Sequence, residues 1–279
     1  MKATRFYGPG DIRIDDIPEP KTRPGTVEVE WCGICGTDLH EYLERPFFAP
    51  TADAPHPLTG EAVPITLGHE FAGVVHDLGD GVDDVHVGDR VVVEPYIICG
   101  HCDACTQGRY NVCQSGRFRR PVGFRGRVLA VRRRGASLVH PLGDLGTDVG
   151  ALVEPLAIAH HAVRLSGAKP NHSSLVFAAG PIGLVTTAAL RACGVEQIIV
   201  VEPADVRKHM APIAGADHVI DPRTSDVVRE VLELTKGRGA DVSFECAGID
   251  AVLKAAIQST RVGGTCVNVA IWRHEASVG

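Results

Sequence analysis

Cys99, Cys102, Cys105 and Cys113 follow the pattern C-x2-C-x2-C-x7-C. Three thiols at spacing three, with a fourth one loop away, can wrap a single tetrahedral site. Zn²⁺ suits such a cage, since it takes four soft ligands without a d-electron preference. An iron–sulfur cluster uses similar spacing. Four ligands close the site, so its role is structural. A second set lies in GICGTDLH, with Cys35, Thr37 and His40, and in GHE, with His69 and Glu70. One Cys, one His and one or two carboxylates leave a coordination position open, which catalytic zinc requires. Thr37 can take the proton of a hydroxyl held there, and His40 can relay it to solvent. The third set is Gly180-Pro181-Ile182-Gly183 within FAAGPIG. It fits the dinucleotide fingerprint G-x-G-x-x-G with Ala178 in place of the first glycine. Gly180 lets the backbone approach a pyrophosphate, and Gly183 lets helix and strand pack closely. Glu202 follows Gly183 by 19 residues. A carboxylate there takes the ribose hydroxyls and repels a 2′-phosphate, so NAD is favoured over NADP, with Arg207 as the counter-indication.

These residues need elements to position them. The first half is turn-rich, with short β-branched runs at Val27–Cys32, Phe71–Asp77 and Arg90–Glu94, and reads as an irregular β-barrel-like domain without long helices before about residue 145. The second half alternates. Strands are expected at Ser174–Ala179, Gln197–Glu202, His218–Asp221, Asp241–Cys246 and Thr265–Ile271. Helices are expected at Ile182–Cys193, Val206–Ala214, Asp226–Thr235 and Ala251–Ser259. Near-continuous apolar strands alternating with helices imply a doubly wound parallel sheet, so the class is α/β plus β. The expected domains are 1–150 and 151–279.

The chain has 279 residues with 44% apolar and 22% charged, a net charge of −6 and nine cysteines. That composition excludes a disordered chain, and the acidic balance argues against a nucleic-acid partner. No run of about 18 apolar residues can span a membrane. The first residues carry no apolar core of signal-peptide type, so a cytoplasmic location is expected. An odd cysteine count is a poor disulfide framework and reads as metal ligands or small buried groups. One segment stands apart: Arg117, Arg119, Arg120, Arg125, Arg127, Arg132, Arg133 and Arg134 crowd into eighteen residues.

Together, GICGTDLHEY, ITLGHEFAGVV, VGDRVVVEP, the cysteine quartet, GALVEPLAIAHHAV, AGPIGL and DVSFEC resemble the zinc-containing medium-chain dehydrogenase/reductase family. HEYL, HPLTGE, VEPLA and QSTRVGGTCVNVAIW look especially like its 2,3-butanediol dehydrogenases, with sorbitol and threonine dehydrogenases as relatives. The resemblance implies a GroES-like catalytic domain followed by a Rossmann domain. It implies one catalytic zinc, on Cys35, His69 and either Glu70 or Glu154, and one structural zinc on the quartet. It implies hydride transfer from a small secondary alcohol or vicinal diol to NAD, and homo-oligomers among full-length relatives.

Two departures from the family pattern stand out. The arginine-rich segment replaces a glycine-rich stretch, which reads as an out-of-frame stretch of GC-rich coding sequence, a basic insert or a solvated loop. Family members run to roughly 350 residues, so a truncated chain is expected, lacking the last Rossmann strand and the C-terminal catalytic segment. The competing readings are a catalytically impaired fragment that still binds zinc and NAD, and a zinc-ribbon-like nucleic-acid module built on the arginines.

Overall fold

The computed structural model describes residues 1–18, 26–44, 48–78, 84–118, 127–129, 138–272 and 274–277. The chain divides into two compact units, Met1–Glu154 and Pro155–Gly279.

The first unit is mainly antiparallel. Strands β1 (Lys2–Gly8) and β2 (Asp11–Asp16) form a hairpin around Gly10, whose φ of 73° is left-handed and free of cost only for glycine. The main sheet uses β3 (Thr26–Gly33), β4 (Glu70–Asp77), β5 (Arg90–Val93), β8 (Arg127–Leu129) and β9 (Val139–Pro141), in the order β8-β3-β4-β5-β9. Period-two alternation turns Val27, Val29, Phe71, Val75, Val91 and Val93 into one core cluster. Each such buried side chain contributes about 1.5–3 kcal/mol. At Gly73 a side chain would collide with the Glu28 carbonyl, so only glycine lets β4 lie this close to β3. Two elements complete the small ribbon, β6 (Tyr96–Ile97) and β7 (Arg117–Phe118). Helix α1 (Gly36–Leu43) follows β3 directly, and the short helices α2 (Asp103–Thr106) and α3 (Thr147–Gly150) come later. Among the described residues before 145 the α-helices are α1 and α2, of eight and four residues, and α1 itself carried no recognised start signal.

Of the arginine-rich segment, Arg119, Arg120, Arg125, Arg132, Arg133 and Arg134 lie outside the described residues, and so do the readings that rest on them. The backbones of Arg117 and Arg127 belong to β7 and β8.

The second unit is the doubly wound sheet. Its strands are β10 (Ser173–Phe177), β11 (Gln197–Val201), β12 (His218–Ile220), β13 (Ala240–Glu245) and β14 (Thr260–Asn268), all parallel, in the order β12-β11-β10-β13-β14. The helices are α4 (Val153–Ser166), α5 (Pro181–Ala192), α6 (Asp205–Ala214), α7 (Val227–Leu234) and α8 (Asp250–Ser259). Alternate strand residues feed two cores. Val176, Ile198, Val200, Val242 and Phe244 meet Ala159, Val163, Leu190 and Ala211 on one face. Leu175, Phe177, Ile199 and Val201 meet Val231 and Ala256 on the other. Both faces are covered, which is why the strands read as unbroken apolar runs. Gly194 terminates α5 with φ 82°, the left-handed residue a helix C-terminus needs. The strand order reverses between β10 and β13, so the crevice for a ligand lies at their carboxyl ends.

Candidate functional sites

The cysteine quartet sits on the loop around α2 and a single 3-10 turn at Tyr110–Val112. A tetrahedron of sulfurs about 2.3 Å from a central zinc has edges of about 3.8 Å. The observed Sγ–Sγ distances are 3.5 Å for Cys113–Cys99, 3.9 Å for Cys102–Cys113 and 4.0 Å for Cys99–Cys105. The cage therefore has the right size before any ion is considered. Backbone N–H groups of Cys99 and Cys102 donate to Cys113 Sγ and Cys99 Sγ, both at 3.4 Å. Such donors favour the thiolate, and backbone hydrogen bonds bring the Cys102 thiol down to about 6.

The second cluster is built where β3 runs into α1 and where the chain enters β4. Cys35 caps α1, and His69 and Glu70 precede and open β4. Register pairs Gly33 with Glu70. A side chain at Gly33 would occupy the space of the Glu70 carboxylate, so glycine here makes room for a ligand. One donor atom from each of Cys35, His69 and Glu70 lies within 4.8 Å of the others. His69 is 3% exposed and Glu70 is 8% exposed. Glu154, in the first turn of α4, is not among the three, but its charge couples to them. Burial, offset in part by His69 and reinforced by Glu70 and Asp38, pushes Glu154 up to about 7. Thr37 is buried, and its Oγ1 lies 3.6 Å from Cys35 Sγ. His40 stands one turn along α1, with Nδ1 3.2 Å from a Glu44 oxygen.

Sequence reasoning gave Asp38 no role, and the structure puts it at the centre of the cluster. One Asp38 oxygen accepts the Cys35 N–H at 3.1 Å. The other accepts the Gly68 N–H at 3.1 Å and lies 3.6 Å from His69 Nδ1. One carboxylate thus ties together the two chain segments that carry Cys35 and His69 and orients the imidazole through Nδ1. Burial opposes a charge on His69, but Asp38 and then Cys35 outweigh it and raise the imidazole to about 10. The cluster is a sink for positive charge. Glu41, also in α1 and fully buried, accepts the N–H groups of Phe48 and Ala49 at 2.5 and 3.0 Å. A D-x-x-E spacing on α1 was the available signal for both.

In the second unit, the turn from β10 into α5 carries Gly180 as N-cap and Pro181 at the first helical position. A side chain at Gly183 would strike the Ala178 carbonyl, so the close helix–strand approach is real. Ala178, which stands where the fingerprint has glycine, holds φ 74°. That conformation costs an L-residue about 1–2 kcal/mol, while glycine loses part of the gain through the unfolded chain. Ala178→Gly is therefore expected to stabilise by about 0.5–1 kcal/mol, read as a rise in Tm of about 1–4 °C. A fall in Tm would contradict the strain. Glu202 ends at the same crevice, but it is 1% exposed, and its two oxygens accept the N–H groups of Ala179 and Ala204 at 2.7 Å each. The Arg207 guanidinium stands beside Gly180, 4.0 Å from where a Cβ there would be.

Comparison with known proteins follows the same division. Residues 24–144 match the alcohol dehydrogenase GroES-like domain and residues 181–279 match the zinc-binding dehydrogenase family. The (R,R)-butanediol dehydrogenase of Neisseria gonorrhoeae is 47% identical, over all of this chain and 79% of that protein. That of Bacillus subtilis is 46% identical, over all of this chain and 80% of its own length. The crystal structure of 2R,3R-butanediol dehydrogenase from Bacillus subtilis superposes with TM-score 0.85 at 44% identity, covering all of this chain and 79% of that one. Among the described residues, no helix is long and apolar enough to cross a membrane. The chain belongs to the zinc-dependent alcohol dehydrogenase family, as an oxidoreductase with a GroES-like domain followed by a Rossmann-type dinucleotide domain.

Proposed function

We propose that this protein oxidises a small vicinal diol of the 2,3-butanediol type to the hydroxyketone, with NAD as acceptor. The observation that carries the reading is the convergence of Cys35, His69 and Glu70 into a three-donor set beside Thr37, in a chain 47% identical to a butanediol dehydrogenase. Three protein donors leave the fourth position to substrate. In this reading Cys35, His69 and Glu70 hold the catalytic zinc and Glu154 stands behind them as a second carboxylate. The four-cysteine cage holds the structural zinc. When bound, zinc supplies Lewis acidity toward the substrate hydroxyl, and NAD supplies the hydride acceptor.

The chain's own residues do the rest. Asp38 fixes the His69 ring and the Cys35 turn. Thr37 accepts the hydroxyl proton at Oγ1, and His40, one helical turn away and held by Glu44, passes it outward. Gly180, Pro181, Ile182 and Gly183 present the N-terminus of α5 to the pyrophosphate. Glu202 takes the adenosine ribose and disfavours a 2′-phosphate, with Arg207 alongside. The family resemblance also supports self-association and a cytoplasmic location.

The test is a panel of initial rates with 2,3-butanediol stereoisomers, sorbitol, threonine and 2-butanol, each with NAD and NADP. The expected result is kcat/KM highest for a 2,3-butanediol and at least tenfold higher with NAD than with NADP. Higher kcat/KM on sorbitol or threonine would move the substrate class, and no turnover with any would favour a binding fragment.

A further inference from the structure

Glu245 ends β13 beside Phe177 at the end of β10, which puts it at the point where the strand order reverses. Its side chain is 0% exposed. Oε1 accepts two backbone N–H groups of the following turn, Ala247 and Gly248, at 2.8 Å each. Oε2 is buried with no hydrogen-bond partner. An ionised carboxylate with a bare buried oxygen is costly, and burial raises this group above the ordinary carboxylate range. Glu202 makes the mirror arrangement on the other side of β10, holding Ala179 and Ala204. Two fully buried glutamates thus pin the two turns that flank the crevice.

The two turns serve different halves of a dinucleotide. The β10–α5 turn and the end of β11 take the pyrophosphate and the adenosine ribose. The other mononucleotide half then crosses to the end of β13. We propose that Glu245 is a positioning residue whose carboxyl clamps the Ala247–Gly248 turn and so preorganises the nicotinamide half of the cofactor site. The proposal rests on the dinucleotide reading given above. It deepens that reading by giving the two halves separate clamps.

The experiment compares Glu245→Leu and Glu245→Gln with the wild type for binding of NAD and of ADP-ribose, which lacks the nicotinamide, by calorimetry. Glutamine matches the shape of glutamate and keeps an acceptor oxygen for the two N–H groups. Losing two turn hydrogen bonds is expected to weaken NAD by about tenfold in Glu245→Leu, with ADP-ribose within about twofold and NAD within about threefold in Glu245→Gln. Equal loss of NAD and ADP-ribose in Glu245→Leu, unchanged NAD binding, or a glutamine variant as weak as leucine would each overturn the proposal. Should the leucine variant not fold, amide hydrogen exchange on the wild type decides. Exchange at Ala247 and Gly248 at least about tenfold slower than for an unprotected peptide amide is expected, and unprotected exchange at both overturns the clamp. A wild type that binds neither ligand sinks the dinucleotide reading itself, which keeps the two failures apart.

Discussion

Asp38→Ala is expected to empty the Cys35–His69–Glu70 site and to lower kcat/KM by at least about 100-fold. The residue is 6% exposed and its carboxylate meets the Cys35 N–H, the Gly68 N–H and the His69 ring. Losing an outer partner of a ligating histidine typically costs about 10–100-fold in metal affinity or activity. Here the same change also removes the acceptor from one buried N–H, that of Gly68, at about 1–3 kcal/mol, and from the partly buried Cys35 N–H. The ligand-bearing segments then lose their common anchor, and the effect should sit at or above the upper end of that range. Asp38→Asn keeps a side-chain acceptor and loses the charge, so it is expected to fall between. The measurement is zinc per chain by plasma mass spectrometry together with kcat/KM. An alanine variant with full zinc and kcat/KM within about threefold of wild type would contradict the central place of Asp38.

Cys102→Ser is expected to remove the structural zinc and to open the loop that carries it. Of residues 99–113, only Cys113 is buried. The four-residue α2 and the 3-10 turn offer almost no apolar core of their own. Cation binding must then supply what packing does not, and in small structural zinc sites that binding amounts to about 10–16 kcal/mol of folding free energy. Serine is a poor substitute because a hydroxyl does not ionise near neutral pH. Tryptic cleavage after the exposed Arg109 is expected to accelerate at least about tenfold, with zinc content falling by one per chain. Unchanged cleavage would mean that the loop holds itself.

The features legible in the sequence were those with a local cause. The quartet shows in its spacing because its ligands are close along the chain. The parallel sheet shows because strands covered on both faces are apolar throughout, and each is punctuated by a glycine that only a turn needs. The first unit's strands show as alternation. What stayed hidden depends on contacts far apart in sequence. Asp38 meets Gly68 across thirty residues. Glu41 reaches a neighbouring loop, and a buried acid in a short helix looks like a solvated one until its partners are known. Glu70 and Glu154 were equivalent as letters, and only folding brings Glu70 into the triad with Cys35 and His69. The place of Glu202 after β11 points to a ribose, while its burial and its bonds to Ala179 and Ala204 show a structural task that no spacing rule announces.

Stepwise zinc restoration separates the two metal sites. Protein stripped with a chelator is titrated with zinc while NADH formation from 2,3-butanediol is followed at each bound-metal ratio. Two zinc ions per chain are expected, with turnover returning only as the Cys35–His69–Glu70 site fills and staying absent in His69→Ala, which should keep one zinc. Full turnover in the zinc-free protein, or in His69→Ala, would contradict this.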